Sequence, residues 1–214
     1  PKYWQLPHVT QWLPGETLYS LASRHHHVSC NNLPTETSLQ LFGHGCQGSM
    51  HDMPSRIDAF VLRTEGMLGD AQHIIQEHTL LPFYFPIRTQ SDATNAIAAV
   101  RHGGIGALKG RLGILASRFG ASHPLKLCPA CMLDDQEDHQ VAYWHMNHQW
   151  PGAWVCLKHQ QPLHYALFKV NGEGRFHWCL PIDVMHLHGI DSQRLEDSQD
   201  LLFRLTECAC GLAA

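Results

Sequence analysis

Cys128-Pro129-Ala130-Cys131 and Cys156-Leu157-Lys158-His159 are two short motifs that together supply four potential metal ligands. They read C-x2-C and C-x2-H, and the 24 residues 132–155 separate them. A spacing of two residues lets both side chains of one tight turn reach a single ion, and the second pair completes the tetrahedron that Zn²⁺ prefers. Four protein ligands leave no coordination position for a reactive water. The motifs therefore predict a structural zinc ion, not a catalytic one, held by Cys128, Cys131, Cys156 and His159.

The composition indicates a folded protein of the cytoplasm. The chain has 214 residues, of which 44% are hydrophobic and 16% charged, and this suits one large or two small domains. No apolar run approaches the length of a membrane span, and the first residues lack a secretory signal pattern. The eight cysteines therefore predict metal ligands and reduced thiols, not a disulfide framework. Because the chain begins with Pro1 and ends close to a predicted helix, we expect a fragment of a longer protein.

Apolar spacing predicts a mainly α-helical chain with small β elements. We divide it into a helical region, residues 1–125, and a zinc-binding region, residues 126–214, with a zinc-ribbon-like site, a hairpin and a C-terminal helix. The hairpin would pair residues 163–167 with residues 176–180 across a glycine-containing turn. Asp70 is a predicted N-cap, as is Ser91 or Asp92. The predicted helices span residues 16–27, 34–42, 55–68, 70–78, 91–101, 105–115 and 195–205.

The first two predicted helices, joined by the polar turn 28–33, are typical of a helix-turn-helix. A unit of this kind that reads DNA needs polar or basic side chains on its second helix. That helix carries Glu36 and no Lys or Arg. The pattern therefore predicts a helix-turn-helix-like unit, and its acidity argues against direct contact with phosphates.

A run of basic residues between positions 101 and 126 contains no acidic residue, although the chain has a net charge of −4. Such a run can contact a phosphate backbone or a partner protein, or it can be an ordinary solvated basic face. No spacing rule separates these interpretations, and both stay open. The candidate nucleic-acid or partner contacts are Arg101, Lys109, Arg111, Arg118 and Lys126.

The motifs do not support either of two classes of zinc enzyme, the metalloproteases and the nucleobase deaminases. His145 and His148 lack the Glu and the spacing of the H-E-x-x-H metalloproteases, so packing or support of the ligands is the better interpretation. A nucleobase deaminase needs H-x-E upstream of P-C-x-x-C, but the residue before Cys128 is Leu127 and not proline.

A second metal site stays an open alternative, although the C-x-C spacing of Cys208 and Cys210 is poorly suited to placing two sulfurs on one ion. Its ligands would come from His177, Cys179, Cys208 and Cys210.

The motifs around the zinc ligands resemble the TniQ/TnsD family of transposition target-selection proteins. The likeness extends over about residues 14–165, and its most specific part is the zinc pattern with its H-Q-x-P-G insert. The residues that carry it, besides the ligand motifs, are Pro14-Gly15-Glu16-Thr17-Leu18-Tyr19-Ser20, Glu77-His78-Thr79-Leu80-Leu81-Pro82-Phe83-Tyr84, Leu112-Gly113, Ala116-Ser117-Arg118, Tyr143-Trp144, His148-Gln149, Pro151-Gly152 and Leu163.

The resemblance implies a non-enzymatic accessory protein that helps to choose where a transposon inserts. It implies an N-terminal region of helix-turn-helix character, zinc-ribbon-like elements, and Zn²⁺ on Cys128, Cys131, Cys156 and His159. It also implies a TnsC-type AAA+ ATPase as a partner, together with DNA or a CRISPR RNA-guided complex; a homodimer is left open. TnsD-type members are longer and carry a further DNA-reading region. The alternative hypothesis is a direct DNA-binding zinc-finger or helix-turn-helix protein.

Overall fold

A computed structural model of the chain describes residues 9–114, 123–166, 174, 176–184, 187–188 and 198–213. Predictions that fall on other residues lie outside this part of the chain. They include residues 1–8, Arg118 and most of the turn of the predicted hairpin.

The described residues are mainly helical, as predicted, and they include a small antiparallel sheet. The strands are β1 (Lys126–Leu127), β2 (His164–Ala166) and β3 (Leu187–His188), in the order β1-β2-β3. Short 3-10 helices span Leu81–Ile87 and Pro181–Asp183. The α-helices are α1 (Leu18–Val28), α2 (Pro34–Phe42), α3 (Ile57–Arg63), α4 (Ala71–His78), α5 (Gln90–His102), α6 (Leu108–Arg111), α7 (Pro129–His139), α8 (Met146–Gln149) and α9 (Gln199–Ala213).

Local capping sets several helix ends. The Asp70 side chain accepts a hydrogen bond from the backbone N–H of His73 at 2.8 Å, so its predicted N-cap role is confirmed. Gly43, in the left-handed conformation with φ 70°, ends α2 directly after Phe42, the last residue of the predicted helix. The predicted cap of α5 is wrong by two or three positions, because the hydroxyl of Thr89 accepts from the backbone N–H of Asp92.

Two further predictions are corrected by the structure. The predicted strand at 176–180 is not a strand: β2 pairs instead with β1 and β3. Trp178 is buried and stacks on Phe42 with ring centroids 5.9 Å apart, so this segment packs on the helical core and is not part of the sheet. The predicted helix at 105–115 is reduced, within the described residues, to the single turn of α6, and Gly113 follows it with φ 63°.

Trp144 lies at the centre of the larger hydrophobic core and connects distant parts of the chain. Its side chain is fully buried, and its indole N–H donates to the carbonyl of Cys179 at 2.8 Å. Its backbone N–H donates to the Ser20 hydroxyl, and its carbonyl accepts from Thr17, each at 3.0 Å. This core also contains Leu21 and Phe42 from the helical region. It thus includes residues on both sides of the predicted boundary at 125/126, and that division stays a prediction.

Glu16 and Arg24 form a buried ion pair at the start of α1. Glu16 is fully buried, and both of its carboxylate oxygens accept hydrogen bonds from the Arg24 guanidinium, at 2.7 and 2.6 Å. The same carboxylate accepts from the backbone N–H of Leu13 at 3.1 Å. A buried charge needs such complete pairing, and the pair fixes the turn that leads into α1.

His78, the last residue of α4, is held neutral by its surroundings. Its ring stacks on Trp12 with centroids 3.5 Å apart, and its Nδ1–H donates to the carbonyl of Glu16 at 2.6 Å. Burial lowers the pKa of His78 from 6.5 to about 4.

We expect the His78 environment to make the protein less stable in mild acid. Unfolded His78 takes up a proton as the pH falls below 6.5, whereas the folded residue resists protonation down to about pH 4. The contribution of His78 to the free energy of unfolding is therefore complete above pH 6.5 and is lost as the pH falls to about 4. In this window His78→Asn should reduce the pH slope of the free energy of unfolding by about 1.4 kcal/mol per pH unit. Chemical unfolding at a series of pH values measures both slopes; identical slopes would contradict the assignment.

Candidate metal centre

Both ligand motifs are built by tight local structure. Cys128 is the N-cap residue of α7, and Pro129 occupies the first helical position, where its missing N–H costs nothing. Cys131 therefore lies in the first turn of α7, beside Cys128. In the second motif, the backbone N–H of Gln160 donates to the carbonyl of Cys156 at 2.7 Å, which closes a turn and directs His159 back toward Cys156.

The structure brings the four predicted ligands together. The three Sγ atoms and the imidazole nitrogen all lie within 4.8 Å of one another. His159 Nδ1 is 3.6 Å from Cys128 Sγ, 3.3 Å from Cys131 Sγ and 3.7 Å from Cys156 Sγ, and the last two sulfurs are 3.6 Å apart. A tetrahedral zinc site with ordinary bond lengths has ligand-to-ligand distances of about 3.5–3.8 Å. The cluster therefore fits an ion of this size.

Burial and charge also suit a metal ion. Cys128, Cys131 and Cys156 are buried, and His159 is half-buried. Hydrogen bonds from the Cys131 and Cys156 thiols hold the pKa of Cys128 far below its ordinary value. Hydrogen bonding with Cys128 in turn raises the pKa of Cys131. A bound dication would allow all three sulfurs to ionise, and thiolates with an imidazole are the ligands of structural zinc sites.

Other side chains surround the ligands. His148 is buried, and its Nε2 lies 3.8 Å from Cys131 Sγ. His145 donates from Nε2 to Asp135 at 2.8 Å, and its ring stacks on Tyr143. The positions of the two histidines agree with the predicted packing and ligand-support roles, since neither belongs to the four-residue cluster.

Helix α9 packs on the loop that leads to the second motif. The hydroxyl of Thr206, which is fully buried, accepts hydrogen bonds from the backbone N–H groups of Trp154 and Val155 at 3.0 and 3.3 Å. Ala209 belongs to the smaller hydrophobic core, which also contains the three cysteine ligands. The C-terminal helix thus supports the metal centre, a contact that the sequence did not reveal.

Lys126 lies inside the protein, although it was a candidate nucleic-acid contact. It is buried, and its Nζ donates to the carbonyls of Trp150 and Ala153, each at 2.8 Å. The amide of Gln149 pairs with both backbone groups of Lys126. Burial lowers the pKa of Lys126 to about 7, and a neutral amine still has two N–H groups for the two carbonyls. Lys126 therefore ties β1 to the H-Q-x-P-G segment.

Two of the remaining basic candidates are paired with aspartates. Arg101 donates to Asp58 at 2.8 Å, and Lys109 pairs at 2.5 Å with Asp52, which is buried. Arg111 is exposed on α6. Arg118 lies outside the described residues.

A second metal site does not form within the described part of the chain. There, the only group of three or more Cys, His, Asp or Glu residues with ligand atoms close enough to share an ion is the cluster at Cys128, Cys131, Cys156 and His159. Cys179 lies elsewhere, with its backbone N–H bonded to the Tyr19 hydroxyl. All eight cysteines are free of disulfides.

The fold and the site define a class of protein: a mainly helical chain whose C-terminal part is built around a buried Cys3His cluster that could hold a metal ion. The chain belongs to the TniQ family, because the model of that family matches residues 4–163. This confirms the resemblance to the TniQ/TnsD family seen in the sequence.

One relative is a transposition protein. It is the Transposon Tn7 transposition protein TnsD of Escherichia coli, which is 31% identical over 88 residues. The match covers 41% of this chain and 17% of that protein. The chain therefore corresponds to only a small part of the relative.

No helix in the described part of the chain is both long and apolar enough to cross a membrane.

Proposed function

We propose that this chain is a non-enzymatic accessory protein for transposon target-site selection. It links a target complex, either DNA or a CRISPR RNA-guided complex, to an AAA+ regulator of the TnsC type. The observation that carries the proposal is the TniQ family match over residues 4–163, which includes most of the larger core and all four candidate ligands. The relation to a Tn7 transposition protein supports the same process.

In this proposal the metal is Zn²⁺ and its role is structural. Cys128, Cys131, Cys156 and His159 would hold it, and four protein ligands leave no open position for a substrate or a reactive water. A bound ion would cross-link the start of α7 to the turn at Cys156–His159. The site is thus zinc-ribbon-like in its ligands, and it keeps the surface around these two segments in one shape.

The helix-turn-helix-like unit, α1 and α2, is better suited to a protein than to DNA. The second helix and its N-cap expose Leu33 and Leu39, with exposed fractions of 57% and 42%, and Glu36 lies between them. An apolar and acidic face of this kind repels phosphates and can pack on a protein partner. This observation supports the role of an adaptor.

Direct DNA binding is the second candidate function. The observation that favours it is the exposure of Arg111 and of Arg101, whose side chain keeps an exposed fraction of 45%. Against it, Asp58 and Asp52 already pair with Arg101 and Lys109, and Lys126 is buried. A phosphate contact contributes a steep salt dependence, and this property separates the two functions.

Two binding measurements test the proposal. The first is capture, at low salt, of a TnsC-type AAA+ ATPase from the source organism by the purified chain. Leu39→Asp should weaken the capture, and Leu62→Asp, which changes an exposed leucine on α3, is the matched control. Failure of the wild-type chain to capture the ATPase would contradict the adaptor role.

The second measurement is DNA affinity between about 50 and 200 mM salt. If Arg111 contacts phosphates, Arg111→Glu weakens binding and reduces the salt slope by about one. The control is Arg204→Glu, which alters an exposed arginine on α9. The adaptor proposal predicts equal DNA binding by both variants. A specific loss in Arg111→Glu would favour direct DNA binding.

A further inference from the structure

We propose that Asp134 is a positioning residue of the metal centre, whose carboxylate holds His159 with Nδ1 directed at the three sulfurs. The proposal rests on the structural zinc site proposed above. Asp134 lies on α7, one turn after Cys131, and its Oδ2 is 3.1 Å from His159 Nε2. The same oxygen accepts a hydrogen bond from Lys158 Nζ.

The helical spacing explains why this carboxylate reaches the centre. Residues three apart on a helix lie on the same face, so Cys131 and Asp134 both face the turn at Cys156–His159. Helix α7 thereby contacts that turn twice, once through the sulfurs and once through the carboxylate. The second contact fixes the imidazole from the side opposite the metal.

The hydrogen bond with Asp134 decides which nitrogen of the His159 imidazole is free to bind a metal. A neutral histidine carries one N–H, and the nitrogen that binds a metal must be the one without the proton. An ionised carboxylate can only accept a hydrogen bond, so Asp134 selects the form with the proton on Nε2. Nδ1 then presents its lone pair to the sulfurs, 3.3 Å from Cys131 and 3.6 Å from Cys128. A carboxylate partner also makes the imidazole a stronger ligand.

The neighbouring Asp135 shows that not every aspartate here has this role. It accepts from His145, whose ring stacks on Tyr143 at 4.1 Å and which does not belong to the ligand cluster. The simpler interpretation of Asp134 is a surface ion pair with Lys158, since their side chains are 38% and 63% exposed. Such an ion pair contributes little to stability and would not affect the affinity for the metal.

Zinc affinity separates these interpretations. Competition with a chromophoric chelator should show that Asp134→Asn binds Zn²⁺ about tenfold more weakly than the wild-type chain, because removal of a partner that orients a ligand typically weakens metal binding by about 10- to 100-fold. Asp138→Asn, an exposed change four residues further along α7, is the matched control and should bind as the wild type does. Equal affinities for Asp134→Asn and the wild type would overturn the role of Asp134.

A measurement on the wild-type chain keeps the test independent of how the variants fold. Long-range ¹H–¹⁵N correlation NMR of the zinc-loaded protein should show His159 bound to the metal through Nδ1 and protonated at Nε2. Coordination through Nε2 would overturn the proposal. Absence of zinc binding in the wild-type chain would overturn the metal centre and this role together, whereas equal affinity of Asp134→Asn would overturn only the role of Asp134.

Discussion

Replacement of Cys131 by Ser should abolish stoichiometric zinc binding and unfold the region around the metal centre. Cys131 Sγ contacts both Cys156 Sγ and His159 Nδ1, at 3.6 and 3.3 Å, so its loss breaks the link between the two motifs. Structural zinc contributes about 10–16 kcal/mol of apparent binding energy in small zinc-dependent domains. The whole stability of a typical domain is only about 5–15 kcal/mol. We therefore expect this substitution to have the largest effect of any single change.

Metal content by mass spectrometry and thermal unfolding by circular dichroism measure both consequences. Cys30→Ser is the matched control, because Cys30 is exposed and lies outside the cluster. It should leave zinc content and melting temperature unchanged. A Cys131→Ser protein that keeps one equivalent of zinc and the wild-type melting temperature would contradict the role of this thiol.

The second large effect is expected for Trp144→Ala. Trp144 is fully buried in the larger core, and its indole N–H satisfies the carbonyl of Cys179. Truncation leaves a cavity and an unpaired carbonyl, and such changes cost about 3–5 kcal/mol. Urea unfolding of the zinc-loaded protein measures the loss. Because Trp144 contacts both α1 and the segment around Cys179, the whole core should be weakened.

Trp154→Ala controls for the chemistry of the substitution, since Trp154 is 38% exposed. Trp154→Ala should lower the free energy of unfolding much less than Trp144→Ala does. Similar losses for the two variants would show that burial of Trp144 does not organise the core, and that its contacts with α1 and with Cys179 are dispensable.

The features that the sequence predicted well are local ones. The ligand motifs were recognisable because two residues between ligands fit one turn, and the structure brings all four ligands within 4.8 Å. Helices α1, α2 and α4 were predicted within about two residues, since apolar spacing marks α1 and since Pro34 and Asp70 are ordinary start signals. Each of these inferences needed only a few neighbouring residues.

The features that could not be predicted depend on contacts between distant residues. Strand β2 pairs with β1 and β3 and not with residues 176–180, where Trp178 packs against Phe42. The charge of Lys109 is paired with Asp52, which is 57 residues away, and Lys126 is buried by the H-Q-x-P-G segment. Within the described residues, the candidate contacts Lys109 and Lys126 are therefore paired or buried, whereas Arg111 is exposed. Asp134 did have a local signal, its position three residues after Cys131, but the meaning of that signal depends on where His159 lies.

X-ray absorption at the zinc edge of the purified chain tests the central claim most directly, namely that an ion joins α7 to the turn at Cys156–His159. The predicted spectrum has three sulfur neighbours at about 2.3 Å and one nitrogen at about 2.0–2.1 Å, with no bound water. Protein without zinc, or zinc with fewer than three sulfur neighbours and an oxygen in their place, would contradict a closed structural site.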